Sequence, residues 1–223
     1  MKNLKEGDFV HINYIGKVKE TKEIFDVTEE DLAKKENVFN PNLKYKPIPI
    51  IIGSGLIFKK IDDALKEMKV GEKKLIEISV QDGFGQRDPG LVKLIPLSVF
   101  KEKNIEAKPG NYVTINRLTG KIVSIDGGRV KVDFNHPLAG KDLEYEVEIK
   151  DEIKTPKEKI EAITSHYIGI EEDYLAIEIK EKEAEIILKK KIDVPSALKQ
   201  RIADILLKWL DFEKIKFVDL YSK

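Results

Sequence analysis

The chain has 223 residues, 40 basic against 40 acidic side chains, a formal net charge of zero, and no cysteine. The charge balance also holds locally along the chain, which excludes the electrostatic footprint of a nucleic-acid or anionic-membrane binder. Without thiols, disulfide staples, cysteine nucleophiles and cysteine-ligated zinc are excluded as well. No run of about 18 apolar residues occurs, and Met1 to Glu6 carry no apolar secretory core, so a soluble cytoplasmic protein without membrane contact is expected. This length accommodates two or three small domains, each near the lower limit for an independent core, and the order of segments favours three.

Phe9 to Lys19 alternates in part, with Val10, Ile12, Tyr14 and Val18 as strand-forming positions; Glu20 to Glu23 is a polar turn before a second strand at Ile24-Phe25. Asp31 to Asn42 is polar and is followed by Pro47 and Pro49, which reads as a long excursion or bulge before the apolar run Ile48 to Ile52. After Gly55, the apolar residues Leu56, Ile57, Ile61, Leu65 and Met68 recur at helical spacing and predict a short helix ended by Gly71. Lys73 to Val80 then reads as a strand. From Arg87 the pattern changes. An apolar stretch, Leu91 to Phe100, leads to a turn at Lys108-Pro109-Gly110-Asn111 and to short strands over Tyr112–Leu118, Lys121–Ile125 and Arg129–Phe134. The last two are joined at Asp126-Gly127-Gly128, a hairpin signal because glycine tolerates positive φ.

Leu143 to Ile149 is a further strand. Thr155-Pro156-Lys157-Glu158 has the spacing of a capping box with proline at the first helical position, which marks a new helix. Strands at Tyr174–Ile179 and Ala184–Lys189 follow. A helix opened by Val194-Pro195-Ser196 carries a stripe of Leu198, Ile202, Ile205, Leu206, Trp209 and Leu210, and a last strand lies at Lys216–Leu220. Gly53-Ser54-Gly55 lacks the Gly-Lys-Ser/Thr of a phosphate loop, and His11, His136 and His166 lie in separate elements with no second ligand at metal spacing.

Six groups in order carry a family likeness: Tyr14-Ile15-Gly16; Phe25-Asp26; Gly53 to Phe58 with Ile61; Met68 to Lys73; Gly83-Phe84-Gly85; and Leu143 to Glu148. Together they resemble the FKBP-type peptidyl-prolyl cis-trans isomerases. Asn135 to Leu143 resembles the SlyD branch, in which a second domain is inserted in the flap, and the whole resembles the long archaeal type. The resemblance implies an α+β fold: an antiparallel FKBP sheet wrapped on a short helix (1–86 plus 135–153), an inserted small β-rich domain (87–134), and a C-terminal α-β-β-α-β module (154–223) of no recognised family.

It also implies a proline socket lined by Tyr14, Phe25, Asp26, Ile57, Phe58, Ile61, Phe84 and Tyr145. Tyr14, Asp26 and the backbone N–H of Phe58 would be the catalytic groups. No cofactor and no metal is implied. Two positions depart from the family pattern: Ile61 stands where a tryptophan commonly forms the socket floor, and Phe84 where a tyrosine donates a hydrogen bond. The implied activity is rotation of X-Pro bonds in unfolded or partly folded polypeptides. A holdase chaperone or proline-peptide binding protein with little isomerase activity is the alternative. In the insert, Leu91, Leu94, Ile95, Leu97, Phe100 and Tyr112 form either a client-binding surface or the insert's own core. The stripe ending in Trp209 and Leu210 is open to two readings, a homodimer contact or, favoured, the tail module's own core.

Overall fold

The structure, a computed structural model, describes residues 4–190 and 192–220. Runs of consecutive apolar residues, rather than clean alternation, set its architecture. Strand β1 (Phe9–Val18) begins with two fully buried residues, Phe9 and Val10, and β3 (Ile48–Ile51) buries its last three. The two pair antiparallel, with Phe9 opposite Ile51, Val10 opposite Ile50 and Ile12 opposite Ile48. Successive side chains in a strand point to opposite faces. Val10, Ile12, Ile48 and Ile50 therefore share one face, while Phe9 and Ile51 share the other. A sheet apolar on both faces must be covered on both.

The chain divides into two compact units, residues 1–17, 21–77 and 144–223 in the first, and 18–20 and 78–143 in the second. In the main sheet β2 (Ile24–Val27), β1, β9 (Leu143–Ile153) and β4 (Lys73–Ile78) lie in the order β2-β1-β9-β4, with β3 also paired to β1. Helix α2 (Lys59–Glu67) buries Ile61, Ala64 and Leu65, as the helical spacing predicts. The polar excursion contains a helix that its composition does not announce, α1 (Glu30–Lys35). Its acidic residues stand in the first turn and its basic ones in the last, complementing the helix dipole, with a Glu30–Lys34 pair at 2.6 Å and Ala33 fully buried.

The reverse face of the sheet is covered by elements from residues 154–190 and 192–220. Helix α4 (Pro156–Ile168) starts with the capping box read from the sequence: the Glu158 N–H donates to Thr155 Oγ1 and the Thr155 N–H to the Glu158 carboxylate. Strands β10 (Leu175–Lys180) and β11 (Glu183–Leu188) pair antiparallel. Helix α5 (Ser196–Trp209) then crosses to β12 (Lys214–Asp219), which lies parallel to β11. Phe9, Ile51 and Ile153 join one buried cluster with Ile160, Ile163, Leu175, Ile186, Ile202 and Leu206. The segment expected as a separate domain thus shares its core with the sheet, packing its apolar side chains on the face that carries Phe9 and Ile51. The stripe of α5 goes into the same cluster. Ile202 and Leu206 are fully buried, and Leu198, Ile205, Trp209 and Leu210 pack against it, so the core reading of the stripe holds.

The second unit carries a four-stranded antiparallel sheet in the order β5-β8-β7-β6, formed by β5 (Val92–Pro96), β6 (Tyr112–Ile115), β7 (Leu118–Asp126) and β8 (Arg129–Asp133). The β7–β8 hairpin turns through Gly127 and Gly128 at φ +52° and +74°. Val113, Ile115, Ile122, Val130 and Val132 face a short helix, α3 (Leu97–Glu102), whose Phe100 is 1% exposed. Phe100 therefore leaves the candidate client surface, since the helix turns its ring into the core. The two chain crossings below the sheet are tied together. Buried Asp133 pairs with Arg87 and accepts from the backbone and side-chain N–H of Asn135, and Asn135 exchanges hydrogen bonds with the backbone of Asp88. Among the described residues no helix is long and apolar enough to cross a membrane.

Candidate active site

The Ile12–Ile48 face of the sheet opens into a cavity of about 330 Å³ in the first unit. Val147 of β9 and Ile61 of α2 continue its apolar lining, and the loop before α2 adds Leu56, Ile57 and Phe58. Its polar groups are Tyr14, Asp26 and Tyr145. Pairing of β1 with β2 sets Asp26 opposite Gly16, two residues from Tyr14, and the Tyr14 hydroxyl donates to Asp26 Oδ2 at 2.8 Å. Burial first, then the Asp26 carboxylate, pushes the Tyr14 hydroxyl far above the ordinary tyrosine range; the same two causes raise Tyr145. Both phenols therefore stay protonated, as hydrogen-bond donors, at any working pH.

Tyr145 is the hub of the aromatic wall. Its ring centroid lies 5.8 Å from Tyr14, 5.7 Å from Phe25 and 5.9 Å from Phe58, the last two edge-on. Such edge-to-face contacts add about 0.5–1.5 kcal/mol each beyond area burial. The wall depends on a glycine. A Cβ on Gly16 would come within 2.9 Å of the Phe25 ring and 3.1 Å of Tyr145, so one or both rings would have to shift.

Six of the eight socket residues named from the family likeness line the cavity: Tyr14, Asp26, Ile57, Phe58, Ile61 and Tyr145. Phe25 stands behind Tyr145 as its edge-on partner. Phe84 belongs to the second unit, where it stacks on His136 at 4.0 Å with an interplanar angle of 7°. Ile12, Ile48, Leu56 and Val147 also line the cavity and were not named as socket residues from the sequence. The register of β1 with β3 puts the first two on one face, a fact available only once the strands are paired.

Asp62 was also missed, and it organises the loop that carries Ile57 and Phe58. Only 5% exposed, it accepts from the N–H of Gly53 at 2.6 Å and from that of Gly55 at 2.9 Å. Hydrogen bonds to a charged acceptor contribute about 1.5–3 kcal/mol each. Asn in its place retains one acceptor oxygen and turns an NH2 toward the other N–H. Asp62→Asn is therefore expected to lower the thermal midpoint by several degrees and kcat/KM on a proline peptide by about tenfold, a loss of roughly 1.4 kcal/mol. Melting and peptide assays on the same preparation check this, and an unchanged kcat/KM would show that the loop holds its shape without the carboxylate.

The cavity lining is thus apolar apart from two hydroxyl donors and one carboxylate. A short-type peptidyl-prolyl cis-trans isomerase of Methanocaldococcus jannaschii is 32% identical over 148 residues, covering 66% of this chain and 93% of that protein. A probable FKBP-type 16 kDa isomerase of Pseudomonas fluorescens is 36% identical over 47% of this chain and 72% of its own length. The FKBP-type isomerase SlyD of Escherichia coli is 30% identical over 46% of this chain and 54% of its own. A family model described as the FKBP26 IF domain matches residues 93–138, within the second unit. The chain belongs to the FKBP-type peptidyl-prolyl cis-trans isomerase family.

Proposed function

We propose that this chain is a peptidyl-prolyl cis-trans isomerase that turns X-Pro bonds of unfolded or partly folded polypeptides in the cavity around Tyr145, and that its second unit holds those polypeptides. The observation that carries the first part is the cavity: mostly apolar, large enough to admit a proline ring, and rimmed by Tyr14 hydrogen-bonded to Asp26. A peptide bond resists rotation by about 18–20 kcal/mol because of amide resonance. Twisting destroys that resonance, so the carbonyl loses dipole and the nitrogen becomes pyramidal. A dry socket disfavours the polar planar amide more than the twisted one, which is differential binding of the transition state and needs neither acid nor nucleophile. Tyr14 and Asp26 bias the turned carbonyl electrostatically. By family likeness the backbone N–H of Phe58, at the start of α2, anchors a substrate carbonyl.

Holding by the second unit is supported by the outer face of its sheet. Leu94 and Tyr112, 60% and 58% exposed, stand on the face opposite Phe100, and Leu91 is also exposed. Ile95 and Leu97 pack partly against the core and contribute less surface. Leu94 and Tyr112 stand on the two edge strands of that sheet, β5 and β6, and exposed apolar side chains favour contact with other chains. The test is a proline-limited refolding reaction with the whole chain and with a version in which 89–134 is replaced by a short loop. The proposal expects the whole chain to accelerate refolding and the loop version to retain activity on short peptides only. Suppression of aggregation of a proline-free client without any acceleration of refolding would instead establish the holdase reading.

A further inference from the structure

We infer that residues 154–223 position one wall of the isomerase cavity, acting through β3, with Glu171 and Glu172 as the positioning residues. This rests on the cavity around Tyr145 being the isomerase site. Strand β3 is short and lightly tied to the sheet: four residues long, interrupted by Pro49, which has no N–H to donate, and paired among the described strands with β1 alone. Yet it places Ile48 in the cavity lining. The later segment supports it at both ends. At its C-terminal end Ile51 enters the buried cluster with Ile160 and Ile163, and α4 packs against β3.

At its N-terminal end β3 is fed by the segment 37–47, which is folded on itself. Phe39 stacks on Tyr45 at 5.4 Å, and the Tyr45 hydroxyl accepts from the Asn40 N–H at 2.8 Å. From this segment Lys44 Nζ donates to Glu171 Oε1 at 2.6 Å, and Lys46 Nζ lies 3.9 Å from Glu172. Both acids belong to the short link between α4 and β10. Burial, and next the Lys46 ammonium, hold the His166 imidazole of α4 below its ordinary pKa. Ile48 is therefore fixed between an apolar anchor three residues later and an ionic one two to four residues earlier.

The pairs are exposed, so they add little to global stability. Their effect is to choose where a weakly held strand rests. Glu171→Lys with Glu172→Lys in the full chain replaces two attractions by two repulsions. The expected result is a threefold to fivefold rise in KM for a short X-Pro peptide at nearly constant kcat, about the size that exposed charge pairs support. The thermal midpoint should move by only a few degrees. Adding Lys44→Glu and Lys46→Glu should restore KM, because the pairs re-form with reversed sign. The Ile48 δ-methyl resonance is followed in the same variants and needs no catalysis: it should shift in the double variant and return in the fourfold one. An unmoved Ile48 signal, or a fourfold variant that stays as impaired as the double one, overturns the inference. A shifted and restored Ile48 signal with KM unchanged throughout upholds the positioning of β3 and refutes the cavity as the isomerase site.

Discussion

Ending the chain at Lys154 is expected to yield a protein that no longer unfolds cooperatively and that aggregates at micromolar concentration. Phe9, Ile51 and Ile153 are 0%, 0% and 4% exposed, all within the cluster shared with the later segment. Each large apolar side chain returned to water forfeits about 1.5–3 kcal/mol. Three of them approach the whole stability of a typical domain, about 5–15 kcal/mol. The capped helix α4 and the sheet of β10, β11 and β12 would leave with them. The family fold as such does not demand this, since the short-type relative is matched over 93% of its length by 66% of this chain. The demand comes from the apolar reverse face of β1 and β3. Urea unfolding of 1–154 beside the full chain checks it, together with a 1–154 variant carrying Phe9→Thr and Ile51→Thr, which should regain solubility. An unfolding midpoint equal to that of the full chain would refute the shared core.

Asp26→Ala combined with Tyr145→Leu is expected to lower kcat/KM on a proline peptide about a hundredfold, or roughly 2.7 kcal/mol, while the chain still folds. The first change removes the acceptor of the Tyr14 hydroxyl at 2.8 Å and, with it, the only carboxylate of the cavity lining. The second removes the ring on which Tyr14, Phe25 and Phe58 converge, leaving the cavity wider and without its second phenol. Tyr145 is 7% exposed, so leucine there keeps the site apolar and limits the structural damage. Peptide isomerisation kinetics measure the outcome alongside circular dichroism. Isomerisation unchanged in a folded double variant would place the reaction outside this cavity.

Where local chemistry decides, the residues could be read directly. The reciprocal bonds of Thr155 and Glu158 span three residues, and the glycine pair 127–128 needs only its own positive φ. The helical recurrence of Ile61 and Leu65 and the ordered family groups likewise named six of the residues that line the cavity. Even the cover over the reverse face had a trace in the sequence, since Phe9-Val10 and Ile50-Ile51-Ile52 are consecutive rather than alternating.

Other features were not legible because they depend on partners distant in the chain. A polar stretch became α1 once Ala33 found a buried place, and Phe100 left the apparent surface of the insert when α3 turned it inward. Asp62 looks like an ordinary helix-start acid until the loop bends back to bring two glycine N–H groups to it.

By itself, then, the sequence determined the family, the local caps and turns, and which residue types could build a proline socket. The tertiary structure alone decided that α4, β10, β11 and α5 share their core with Phe9 and Ile51 of the main sheet. It alone brought Lys44 to Glu171, 127 positions away. A side chain's choice between core, cavity and solvent is made by the surface it meets after folding, and a pairing across such a distance leaves no local periodicity or spacing to read.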